Sequence, residues 1–166
     1  QKGLETNTGR KTTLVVAPAG FGKTTLVLSS LHQQKEQKHP VAWVSLDETD
    51  NTLRRFATYL LAALQTVYPS LGQSLMASLQ SGQAPDDVVI LPTLLNELAD
   101  GQFNVVLVLD DYHLITNEHI HEALASFIDY LPPQVHLILT SRHSPPLPLP
   151  RWRVRGQLAE INTVPP

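Results

Sequence analysis

Residues 12–31 read TTLVVAPAGFGKTTLVLSSL. An apolar, largely β-branched run (Leu14, Val15, Val16) enters a loop of small residues, and a helix-like stretch begins at Lys23. The order is strand, glycine-containing loop, helix. A triphosphate needs backbone N–H groups turned inward with no Cβ in the way, a cation for the outer phosphates and a hydroxyl to help hold Mg²⁺. Gly20 and Gly22, Lys23 and Thr24 supply these in the spacing of a phosphate-binding P-loop. A helix opening at Lys23 adds the positive end of its dipole to the same spot. The predicted nucleotide cradle is Ala17, Pro18, Ala19, Gly20, Phe21, Gly22, Lys23, Thr24 and Thr25. Ala17 stands where the strict pattern has Gly, and it is small enough to be tolerated. The competing reading is a plain glycine turn with Lys23 in solvent; the agreement of loop, strand and helix favours the P-loop.

The 166 residues suffice for one domain with a real core and are too few to expect two. The formal charge of -3 gives no reason to propose broad attraction to nucleic acid or anionic lipid. There is no Cys, so disulfides and thiolate metal sites are excluded. No apolar run approaches the roughly 18 residues of a membrane span, and Gln1 to Lys11 lack a signal-peptide core, so a cytoplasmic domain with no membrane partner is expected. The missing initiating Met and the closing Val164-Pro165-Pro166 suggest an excised piece: a polar flank over 1–11, a nucleotide-binding domain over 12–161 and the start of a linker over 162–166.

Downstream, His39-Pro40 should end the first helix. Val41 to Leu46 reads as a strand buried on both faces with Trp43 in the core. In the acidic loop DETDN (47–51), Asp50 or Asn51 is placed to cap a helix carrying Leu53, Phe56, Ala57, Leu60, Leu61 and Leu64 at helical spacing. A cation on Asp47, Glu48 and Asp50 is the alternative use of that loop. Leu71, Leu75, Met76 and Leu79 suggest one short helix, followed by a linker-like 81–85. Leu91, Leu94, Leu95 and Leu98 suggest another, which Pro92 either starts or kinks.

Asn104 to Asp111, NVVLVLDD, carries the second chemical signal. A continuous apolar strand ending in carboxylates is where a P-loop fold keeps its Walker B acids. Asp110 would hold Mg²⁺ and Asp111 would orient or deprotonate an attacking water. The alternative is a strand that ends in a polar turn. Asn117 can cap a helix with Ile120, Ala123, Leu124, Phe127, Ile128 and Leu131 inside; His119 and His121, two apart, do not make the i, i+4 pair of a zinc helix. Val135 to Thr140 is a fourth strand delivering Ser141 and Arg142 to the same edge, where Arg142 would sense a γ-phosphate or simply pair with an acid. HSPPLPLP (143–150) reads as a rigid loop within the domain rather than a polyproline ligand. Arg151, Arg153 and Arg155 alternating with Trp152 and Val154 suggest an extended segment with a basic face, and Leu158 to Ile161 a fifth strand.

VVAPAGFGKTTL, VAWVSLDETDN with RFATYLLAALQ, LVLDDYHLI with NEHIHEAL, ILTSR and RVRGQLAEI together resemble the STAND class of P-loop signalling ATPases, specifically the domain of MalT-like, large LuxR-type transcriptional regulators. The resemblance covers Leu14 to Ile161. It implies an α/β three-layer fold with a five-stranded parallel sheet in the order 2-3-4-1-5. It implies Lys23 and Thr24 as Walker A residues, Asp110 and Asp111 as the Walker B pair, and Arg142 as a sensor. It further implies an ATP/ADP switch with Mg²⁺, slow hydrolysis, self-association when ATP is bound, and DNA contact only through a helix-turn-helix outside these residues. A metabolic or transport P-loop ATPase, and a nucleotide-binding scaffold without turnover, are the competing readings.

Overall fold

The computed structural model describes residues 10–18, 22, 25, 27, 39–82, 86–101 and 103–162. Among these, five strands form one sheet: β1 (Thr12–Val16), β2 (Val41–Ser45), β3 (Val105–Asp110), β4 (Val135–Ser141) and β5 (Leu158–Asn162). The order is β2-β3-β4-β1-β5 and every pairing is parallel, as the resemblance implies.

Side chains alternate across a strand, so a central strand buried on both sides must be apolar at every position. β3 meets this requirement from Val105 to Leu109 and departs from it only at its last residue, Asp110. Val105, Leu107 and Leu109 face one cluster with Leu14, Leu137 and Leu139; Val106 and Val108 face another with Val15, Val27 and Ile138. The larger cluster is roofed by helices. In α1 (Leu53–Gln65) the stripe read from the sequence is buried in full, and Thr52 caps the helix by accepting from Arg55 N at 3.2 Å. α2 (Gln73–Ser81) follows. α3 (Asp87–Gly101) buries Leu91, Leu94 and Leu98. α4 (Glu118–Asp129) starts at Asn117, whose side chain accepts from His119 N at 2.9 Å, and buries Ile120, Leu124, Phe127 and Ile128. α5 (Leu149–Val154) closes the set.

Several expectations are corrected. β2 lies at the sheet edge, so Val41 and Ser45 are exposed and Trp43 is only half-buried, packed on the smaller cluster. The cap of α1 is Thr52, because Asp50 and Asn51 are used elsewhere. Pro92 lies inside α3 and does not begin it. Arg151 to Val154 are helical: Trp152 turns inward and its Nε1 donates to Asp129 Oδ1 at 2.8 Å, so the alternation marks no extended basic face. Arg151 pairs with Asp129, and Arg153 takes both oxygens of Glu160, whose carboxyl it holds below the usual carboxylate range. Residues 143–148 of the proline-rich stretch are a loop of the domain with Pro145 and Leu147 buried, while Leu149, also buried, and Pro150 begin α5.

Candidate functional site

In a parallel sheet all strands deliver their carboxyl ends to one edge, where loops can converge on a ligand. Here the register pairs Ser45 with Asp110 and Val16 with Ser141. Backbone bonds continue past the strands: Ala17 N donates to Ser141 O, and Leu46 N to Asp110 O, both at 3.0 Å. Thus the loop leaving β1, the acids ending β3 and the residues following β4 share one edge.

Thr140 sits between the acids. Its Oγ1 donates to Asp110 Oδ1 at 2.5 Å and accepts from Asp111 N at 2.8 Å. Thr140 is fully buried and Asp110 nearly so. One hydroxyl therefore fixes the carboxylate of one acid and the backbone of the next, leaving Asp110 Oδ2 as the oxygen that Thr140 does not use. Sequence reasoning missed Thr140; the available signal was a polar residue at the end of the apolar run of the strand beside β3. Asp111 has φ 64, a left-handed backbone that carbon-bearing residues seldom adopt, and it opens the short turn Tyr112–Leu114. Positive φ at a non-glycine residue is found where a structure over-determines it, often beside functional groups.

The other sequence-derived residues fall as follows. Ala17 is buried and Pro18 half-buried behind the strand; Thr25 and Val27 are helical. Gly22 has φ 69, in the region that favours glycine, and a Cβ there would come no nearer than 3.7 Å to Thr25. Ala19, Gly20, Phe21, Lys23 and Thr24 lie outside the described residues. Arg142 is exposed, and its N–H donates to His113 Nδ1 at 3.3 Å, tying the end of β4 to the turn after Asp111. Asp47 and Asp50 close a capping box around the turn Glu48–Asp50: Thr49 N donates to Asp47 Oδ1 at 2.8 Å and Asp47 N to Asp50 Oδ2 at 2.9 Å. Hydrogen bonds from Thr49 hold the Asp47 carboxyl below its usual range. Among the described residues no group of acids and histidines is arranged to hold a metal by itself. His119 is exposed, whereas His121 is buried with Nδ1 2.7 Å from the Tyr112 hydroxyl, and burial pushes its pKa down.

A model of an AAA domain matches residues 6–143. The chain belongs to this AAA domain family. The HTH-type transcriptional regulator MalT of Serratia proteamaculans is 43% identical over 160 residues, covering 96% of this chain and 17% of that protein. MalT of Yersinia enterocolitica is 42% identical over 149 residues, covering 90% and 16%. The resemblance to MalT-like regulators is thereby borne out, and the chain spans about one sixth of the length of these relatives. Solved structures share the AAA fold at low identity. Cdc6p of Pyrobaculum aerophilum aligns with a TM-score of 0.61 and 16% identity over 93% of this chain and 39% of its own. A Walker-type ATPase of Pyrococcus abyssi aligns at 0.53 and 16% over 85% and 43%. No described helix is long and apolar enough to cross a membrane.

Proposed function

We propose that this AAA domain binds ATP and ADP with Mg²⁺ at the carboxyl edge of its sheet, hydrolyses ATP slowly, and acts as the switch of a cytoplasmic transcriptional regulator. The observation that carries the reading is the acid pair ending β3, clamped by Thr140 on the edge where β1 enters its loop at Ala17. The residues fit the group: Gly22, with a left-handed backbone, brings no side chain to the loop after β1, and a nearly buried carboxylate stands at the end of β3. Mg²⁺, when bound, neutralises charge on the phosphate oxygens.

Lys23 and Arg142 are assigned to the outer phosphates, Thr24 and Asp110 to the metal, and Asp111 to orienting water. Backbone N–H groups of 19–25 are assigned to the phosphate chain, since Ala17 N is held by Ser141 O and Pro18 has none. Because an acid that only orients water is needed in turnover and not in binding, its loss should separate the two. The identity to MalT favours the regulatory switch over a metabolic ATPase, with self-association governed by the nucleotide and DNA contact made outside these residues.

Calorimetry with a non-hydrolysable ATP analogue and Mg²⁺, beside a phosphate-release assay, tests this. Lys23→Ala should abolish binding; Asp111→Asn should keep affinity within about twofold and lower turnover by about 100-fold. Equal turnover in Asp111→Asn would reassign the water-orienting role, and binding unchanged in Lys23→Ala would remove the P-loop reading.

A further inference from the structure

The acid pair is followed by a turn each of whose residues is held by a different element. The Tyr112 hydroxyl meets His121 of α4, His113 Nδ1 accepts from Arg142 N after β4, and Leu114 O accepts from Asn51 Nδ2 at 3.1 Å. The last of these belongs to a larger set. Asn51 Oδ1 accepts from Thr116 N at 2.7 Å and Asn117 N at 3.2 Å; its Nδ2 also donates to Glu48 O at 2.8 Å, and its own carbonyl accepts from Asn117 Nδ2 at 2.9 Å. One amide therefore joins the loop after β2 to the loop after β3 across more than sixty residues of sequence.

We infer that Asn51 is a positioning residue for Asp111. The inference rests on the hydrolysis reading above. The argument is geometric. Asp111 is in the left-handed region, which costs a residue with a Cβ free energy even where Asp tolerates it better than most, so the contacts that fix its flanks help hold it there. Thr140 fixes its N–H, and the turn beginning at Tyr112 fixes its other side. Asn51 supplies both a donor and an acceptor to the far end of that turn, a pairing that an amide offers and a carboxylate or an aliphatic side chain does not. Without it, Leu114 O and the N–H groups of Thr116 and Asn117 lose their partner, and the turn gains freedom that reaches the acid. A loosely held water-orienting group costs rate and leaves phosphate contacts untouched.

The test compares Asn51→Ala, Asn51→Asp and Tyr68→Phe in the longest natural chain carrying these residues. Tyr68→Phe removes the hydroxyl bond to Asn104 O (2.7 Å) at the opposite end of β3 and serves as a control for loss of stability alone. Asn51→Ala is expected to lower kcat about tenfold with the Kd for a non-hydrolysable MgATP analogue within twofold. Asn51→Asp keeps the acceptor for Thr116 and Asn117, so it should fold even if the alanine variant does not, and should show a smaller fall in kcat. Tyr68→Phe should lower Tm and leave kcat unchanged. Wild-type kcat in either folded Asn51 variant, or the same fall in Tyr68→Phe, overturns the positioning role while the hydrolysis reading stands. A wild-type chain that binds MgATP without any turnover overturns both.

Discussion

At the scale of single residues, the site depends on a threonine as much as on the acids. Thr140→Val keeps the shape and removes the hydroxyl, so Asp110 Oδ1 loses its donor and Asp111 N its acceptor in a buried place. Each orphaned group costs about 1 to 3 kcal/mol, and the variant should lose about 2 to 6 kcal/mol in denaturant unfolding. Thr140→Ser, which keeps the hydroxyl, should recover most of that loss. Asp110 and Asp111 could be read from sequence because two carboxylates after five apolar residues break the strand's pattern. Thr140 could not, because a threonine is an ordinary strand residue and its meaning arises only from the register that sets it beside Asp110. Asn51 was visible only as a possible helix cap. Its use depends on Thr116 and Asn117, far away in the chain, and no local pattern encodes that pairing.

At the scale of elements, long periodic segments were legible and short ones were not. The stripes of α1 and α4 run for three turns, so period alone identifies them. Arg151 to Val154 is too short for period to separate strand from helix; Pro148 and Pro150 at the start of α5, and the inward anchor of Trp152, decide for helix. Edge position likewise decided the half-exposure of Trp43, which composition could not show. The start of α2 turns on a glycine. Gly72 has φ 65, and a Cβ there would stand 2.6 Å from Leu61 Cδ1, a side chain that is itself fully buried. Its N–H also donates to Glu97 Oε1 at 2.9 Å, joining α2 to α3. Gly72→Ala adds left-handed strain to overpacking and should cost about 2 to 5 kcal/mol in denaturant unfolding. Gly82→Ala is the contrast: φ is 77 but nothing lies within 4 Å, so only the backbone term of about 1 to 2 kcal/mol is expected.

Across the whole molecule, the sheet sets the candidate site and a buried histidine at opposite edges. Asp110, Ser141 and Ala17 lie at the carboxyl edge, whereas His136 sits near the amino end of β4. His136 Nδ1 is 3.1 Å from Arg10 O and Nε2 2.9 Å from Thr13 Oγ1. The carbonyl can only accept, so Nδ1 carries the proton and the Thr13 hydroxyl donates to Nε2, which defines the neutral ring. Burial pushes its pKa down to about 4, against the opposing pull of the Arg10 carbonyl. The unfolded chain binds a proton near pH 6.5 while the folded one resists it to about pH 4. Stability from the neutral ring is therefore fully present above pH 6.5 and is lost as pH falls toward 4, on the order of 3 kcal/mol in all. His121, also held down by burial, adds a loss of the same sign. In His136→Gln the side-chain amide can donate to Arg10 O and its oxygen can accept from Thr13, with no group to titrate. Unfolding free energy measured from pH 7 to 4.5 should fall less steeply in this variant than in the wild type. Equal slopes would mean that His136 takes up its proton at the same pH folded and unfolded, and a shallower fall in the wild type would mean that the ring is protonated in the fold with the Thr13 bond made the other way round.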